Sequence, residues 1–276
     1  FTSTSPQTLA PGVIRYSIGA SPWADHAVAD RFFALPGATQ LGFHKTSNIQ
    51  IGNVAGGLAF PVDGVLAKTI SLDLVTGDPR SRRPVETQLL HFNGQSWQAY
   101  NYIWNSDATD AVLAEDVASD SLFTVTDASA PGGKRVQSWH HASRTECILC
   151  HTTRGGSLYG FTPAQLNRDH DYGKVTDNQF RTLAHIGILA AAPKALPTPM
   201  PDPADTTLPL EKRARAYLHV NCGTCHRRGG GGTAAMDIRY EFSLKQSNLL
   251  GARPTQGTFG MLAARVMAPA APYRSV

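Results

Sequence analysis

All four cysteines of the chain fall in two short units, Cys147-Ile148-Leu149-Cys150-His151 and Cys222-Gly223-Thr224-Cys225-His226. A secreted disulfide framework scatters its cysteines along the chain. Here they come in two pairs of one spacing, each followed at once by a histidine. Any fold of this chain must therefore present two thiols and an imidazole together, twice.

Three chemistries use closely spaced cysteines: a zinc site, a thiol-redox pair, and the attachment of a c-type haem. In the last, two thiols add to the haem vinyl groups and the adjacent histidine ligates iron from one face. Zinc ribbons pair their cysteine units across about 15–20 residues, whereas residues 151–221 separate the two pairs here. Zinc also gives no reason for a histidine after both pairs. The spacing points to two c-type haems, tethered by Cys147 and Cys150 and by Cys222 and Cys225, with His151 and His226 as proximal iron ligands. The zinc and thiol-redox readings stand as alternatives. Gly229–Gly232 do not make a phosphate loop, since no Lys-Ser/Thr closes the run and no strand precedes it. They either let the backbone pass close to a haem edge or turn the chain.

The second face of each iron is less determined. Met236, Met261 and Met267 follow the second unit and are candidates for the iron of His226, as is Met200 further upstream. Each is equally a core methionine by composition. His185 lies between the two units, His91 shares a strand face with Val85 and Leu89, and His140, His141, His170 and His219 lie near the units. Hydrogen-bonded core or surface roles account for such histidines as well. Arg144, Arg168 and Arg227 suit the haem propionates, because a guanidinium pairs a carboxylate in a fork. Trp97, Tyr100, Tyr102 and Trp104 pack a core or wall a haem pocket.

At 276 residues, with 42% hydrophobic and 17% charged residues, the chain is globular rather than disordered. Its 25 Lys+Arg are scattered against 21 Asp+Glu, which gives no nucleic-acid footprint, and no apolar run reaches the length of a membrane span. The chain begins at Phe1 without a signal peptide, which reads as a processed or trimmed start.

The first ~140 residues read as β structure. In 65–74, Leu66, Ile70, Leu72 and Leu74 alternate with Val65, Ala67, Thr69, Ser71 and Asp73, and Lys68 breaks the apolar face. It either snorkels to the sheet edge or reaches the distal side of the first haem. Residues 85–92 and 96–104 flank Asn93-Gly94, whose tolerance of positive φ predicts a hairpin. Beyond residue 140 the pattern turns helical. Thr162-Pro163 predicts a helix start. Phe180, Leu183, Ala184 and Ile188 are spaced for a helix in 177–189. Residues 193–209 form a Pro-rich connector, and a helix from Pro209 through Cys222 carries Leu210, Ala214, Tyr217 and Leu218 on one stripe. The expected class is α+β: a β-rich domain over 1–175 ending in the first haem site, a helix and connector over 176–208, and a small helical domain over 209–276 holding the second haem.

With these residues laid out, the chain resembles a family of bacterial dihaem c-type cytochromes. The likeness runs through 23–37, 60–69, 86–90, 102–111, 143–151, 165–169, 178–189 and 217–226. The first half is also similar to the β-sheet haem domains of the cytochrome P460 type, on Phe60, Pro61, Gly64 and Lys68 followed by Cys147, Cys150 and His151. In P460 proteins a lysine is cross-linked to the haem; the related haem-binding domains lack the link. The segment around the second unit looks like a small cytochrome c domain. The family continues beyond a segment like 268–276 to an Arg-Met-Pro stretch, so the methionine expected on the second iron then lies past Val276.

The resemblance implies a periplasmic or extracellular dihaem carrier of single electrons, serving a redox partner protein or an associated dehydrogenase, with no nucleic-acid partner. A haem enzyme with P460-like or peroxidase-like chemistry at the first haem, and the second haem as electron port, is the competing class. A structural subunit of a larger multihaem assembly is the third.

Overall fold

The computed structural model describes residues 2–4, 7–45, 56–151, 158–191, 195–227, 230, 232, 236–250, 257 and 260. Its centre is a six-stranded antiparallel sheet of β1 (Ile14–Tyr16), β2 (Val28–Ala34), β3 (Val65–Asp73), β4 (Arg82–Phe92), β5 (Trp97–Trp104) and β6 (Ala111–Leu113). Each strand lies beside its neighbour in sequence, so the sheet is a meander in the order β6-β5-β4-β3-β2-β1. A separate hairpin follows, β7 (Ser119–Thr126) with β8 (Lys134–His141). Four helices complete the fold: α1 (Arg144–Cys150), α2 (Pro163–Leu166), α3 (Gln179–His185) and α4 (Leu210–Cys222). The α+β class with a β-rich first half is therefore as expected.

The two sheet faces differ. Phe33 and Leu66 on one face pack with Phe161, Leu166, Phe180 and Leu183 from the α2 and α3 region, the largest apolar cluster. This packing orders the helical layer over that face. Alternation in β3 holds as far as Ile70. There a bulge shifts the register from Ile70–Glu86 to Ser71–Pro84, leaving Val85 as the extra residue. Thr69, Ile70, Ser71 and Leu72 are all buried, so both faces of β3 are covered at this end and burial does not alternate there.

Three local expectations need correcting. The β4–β5 hairpin forms, but its connection spans residues 93–96 and only Gly94 has positive φ, 91°. Asn93 instead uses its side-chain oxygen to accept from the Gln95 and Ser96 amides. The helix at Gln179 is capped by Asn178, whose side chain accepts from Phe180 and Arg181, and it stops at His185. Ile188 thus meets the core from beyond the helix, after Gly187 turns at φ 76°. In α4 the buried position is Ala216, while Leu210 and Tyr217 are exposed. The helix packs by close approach rather than through a large apolar stripe.

That close approach involves the Pro-rich connector. Met200 is buried with Ala20 and Ala216, and its amide donates to the Ala164 carbonyl at 2.9 Å. Gly19 allows it: a Cβ there would sit 2.3 Å from the Met200 carbonyl oxygen. The connector is thus clamped between the first half of the chain and α4. Among the described residues no helix is long and apolar enough to cross a membrane.

Candidate functional site

The first Cys-x-x-Cys-His unit occupies the last turn of α1. Ser143 and Glu146 form a capping box, the Ser143 amide donating to Glu146 Oε2 at 2.8 Å and the Glu146 amide to Ser143 Oγ at 3.2 Å. The helix start is fixed, so Cys147, Cys150 and His151 follow at set angles. The His151 amide closes the turn on the Cys147 carbonyl at 3.0 Å. Tyr159 returns to this end, donating its hydroxyl to the Cys150 carbonyl, with its ring 5.6 Å from that of His151.

The second unit follows the end of α4, where the His226 amide donates to the Cys222 carbonyl at 2.9 Å. The glycines have a defined role here. A Cβ on Gly232 would lie 2.9 Å from both the Cys225 carbonyl oxygen and His226 Nδ1, so the backbone crosses the back of the imidazole. Among the described residues His226 Nδ1 is buried with no hydrogen-bond partner.

Both units meet at one cavity of about 340 Å³. Cys147, Cys150 and His151 line it from one side and Cys225 from the other, with His219, Val220 and Arg227 beside Cys225. The chain between the units, residues 151–221, wraps back to make this convergence. Cys150 and Cys225 are close enough to bear on one another's ionisation. Cys222 and His226 do not line the cavity; Cys222 packs with Leu218, Met236 and Leu244 behind it.

The sheet supplies the cavity floor, and its pattern was not foreseen. Tyr16, Arg31, Lys68, Gln88 and Asn101 stand in register on five successive strands, forming one polar rank across the covered face. The first four line the cavity, among Leu66, Leu90 and Ala99. Lys68 therefore does not snorkel to an edge: it sits on an interior strand and shares the cavity with Cys147. Burial, and then the Arg31 charge beside it, push the Lys68 ammonium down to about 8 from 10.5, against the opposing pull of Glu86 and Cys147. Burial likewise lowers the Arg31 guanidinium and raises the Tyr16 phenol.

Beside Lys68 lies a buried polar network. Glu86 Oε2 accepts from Asn101 Nδ2 at 2.8 Å and pairs with His141 Nδ1 at 3.0 Å, while Glu86 Oε1 accepts from Gln88 Nε2 at 2.6 Å. His141 Nε2 is 2.9 Å from Ser121 Oγ. Burial alone would raise the Glu86 carboxyl. The hydrogen bonds from His141 and Asn101, with the charges of His141 and Lys68, overcome it and hold the group below its usual range.

The other candidates fall elsewhere. His185 is exposed at the end of α3, and His91 pairs with Asp63 at 2.9 Å. His140 bridges Asp120 and Glu146 at the surface, and His170 bonds Ser17. His219 accepts the Tyr240 amide through Nδ1 at 3.1 Å, and burial lowers its pKa. Met236 is a core side chain with Ile238 and Leu249, apart from the cavity; Met261 and Met267 lie outside the described residues. Arg144 stacks over Tyr100 and Arg168 donates to the Ile18 carbonyl; of the three predicted arginines only Arg227 lines the cavity. Trp97 packs on Phe60 and Phe92, whereas Tyr102 and Trp104 face the other side of the sheet.

This arrangement bears on the alternatives. The thiols of Cys147 and Cys222 are free, and burial raises both, the reverse of the lowered value that makes a redox-active thiol. Among the described residues no three His, Cys, Asp or Glu side chains gather as a bare metal ion requires. A haem makes no such demand, because its macrocycle brings four ligands and asks the chain for one histidine. The apolar wall of the cavity, its cations for carboxylates and its cysteines fit that group. Compared with known proteins, the chain matches no family model, no curated protein and no solved structure.

Proposed function

We propose that this chain is an extracytoplasmic dihaem c-type cytochrome that passes single electrons, with Cys147, Cys150 and His151 holding one haem and Cys222, Cys225 and His226 the other. The observation that carries the reading is that Cys147, Cys150 and His151 of the first unit and Cys225 of the second line one cavity. Electron transfer between two haems needs them close, and the meeting of the two units at Cys150 and Cys225 meets that need. When bound, each haem supplies a one-electron iron couple, and this chain orients and insulates it. Leu66, Leu90, Ala99, Leu158, Phe161 and Val220 exclude water, and Arg31, Lys68 and Arg227 offer charge to haem carboxylates. The segment from α4 onward serves as the cytochrome c-like part, and the acceptor or donor is a redox partner protein in the periplasm or outside the cell.

A second reading has an observation of its own. Lys68 and Arg31 sit side by side on the floor of the cavity that Cys147 also lines, so Lys68 can face a small molecule instead of a haem carboxylate. That placement favours small-molecule chemistry at the first haem, with Lys68 as a hydrogen-bond donor. Electron paramagnetic resonance and optical spectra in both redox states separate the two. Two low-spin irons support the carrier and exclude the enzyme. A high-spin ferric signal or a red-shifted P460-type Soret band excludes the pure carrier.

A further inference from the structure

The face of the sheet turned away from the haem units carries a second cavity, of about 330 Å³. Its floor is Phe32, Ala67, Thr87 and Leu89 on β2, β3 and β4, flanked by Tyr102 and Trp104, with Leu9 and Val13 crossing over it. Ala67 and Leu89 line both cavities, so one sheet thickness separates them. Phe32 and Trp104 are only 2% and 6% exposed, yet among the described residues no side chain fills the space beside them.

Asp110 is exposed at the rim and its carboxylate accepts from the Ala111 amide at 2.8 Å, while the polar atoms of the floor pair with one another. Thr87 Oγ1 is 2.9 Å from Thr69 Oγ1 and accepts from Trp104 Nε1 at 3.0 Å. An occupant seated on the floor, away from Asp110, need bring no charge, and a charged group placed there would lose its hydration. Tyr102, part-buried on the wall, brings a hydroxyl that can donate to or accept from an occupant. An engineered cavity of roughly 150 Å³ takes one benzene. A space of about 330 Å³ walled by aromatic rings therefore suits two fused rings.

We propose that this cavity binds a flat, uncharged two-ring aromatic molecule carrying one oxygen that hydrogen-bonds Tyr102, of the naphthol or naphthoquinone class. This site is independent of the haem reading.

Isothermal titration of the whole haem-loaded chain with 1-naphthol tests it, with the Soret band followed in parallel. The expected result is one site per chain with no Soret change. Ala111→Phe fills the cavity from its rim and should weaken binding at least tenfold. Tyr102→Phe, which removes one oxygen and leaves the fold, should weaken it about threefold to tenfold. Val112→Phe, at a position 69% exposed on β6, should leave it unchanged. Absence of binding, equal binding by wild type and both cavity variants, or binding that shifts the Soret band would each overturn the proposal.

Discussion

Replacing Lys68 with methionine should stabilise the folded chain at neutral pH and remove a pH dependence that the wild type shows. In the folded chain the ammonium titrates at about 8, against 10.5 when free. Between these values the unfolded chain binds a proton that the folded chain does not, so wild-type stability rises with pH across that window. Below pH 8 both states are protonated and the full cost of burying the cation is present. The fall from 10.5 to about 8 sets a ceiling of about 3.5 kcal/mol on that cost. Methionine keeps the unbranched stem without the charge, but Glu86 loses a cation that helps hold it ionised. A gain of about 1–2 kcal/mol at pH 7 is therefore expected, shrinking toward zero near pH 10. Urea unfolding followed by far-ultraviolet circular dichroism at pH 7 and 9.5 measures both chains. A wild type whose stability is flat across that range, or a Lys68→Met chain less stable than wild type at pH 7, refutes the reasoning.

Other outcomes follow from the same geometry. Glu86→Leu leaves His141 buried beside Lys68 without its carboxylate and should cost about 3–5 kcal/mol in urea unfolding. Because the Glu86 carboxyl is held below its usual range, its stabilisation is present above the unfolded value of 4.5 and lost as pH falls through the folded one. Glu86→Gln should accordingly flatten the acid limb of a stability–pH profile. Gly19→Ala puts a methyl 2.3 Å from the Met200 carbonyl oxygen and should cost about 1–3 kcal/mol, seen as a lower urea midpoint. The double change Cys222→Ala, Cys225→Ala should remove one covalent haem by mass spectrometry and leave the β-sheet dichroism in place.

The two Cys-x-x-Cys-His units stand out in the sequence because the pattern is local: five adjacent residues carry all of it. The hairpin at Asn93, the Thr162 cap and the start of α4 were legible for the same reason. What was not legible depends on register between distant segments. The rank of Tyr16, Arg31, Lys68, Gln88 and Asn101 exists only because β1 to β5 align at those residues, and no single strand shows it. Lys68 alone betrayed it, as a misfit in an otherwise apolar face. The packing of α4 was misread because its contact runs through Ala216 against Met200 and Ala20, where small size rather than hydrophobic bulk matters. Convergence of the two units on one cavity likewise arises from how residues 151–221 fold back, which neither unit encodes.

The central claim is that both units carry covalent haem. A pyridine haemochrome assay on the purified chain, with protein quantified by amino-acid analysis, addresses it directly. Two c-type haems per chain are predicted; fewer than two in a protein matured with haem supplied would contradict the account.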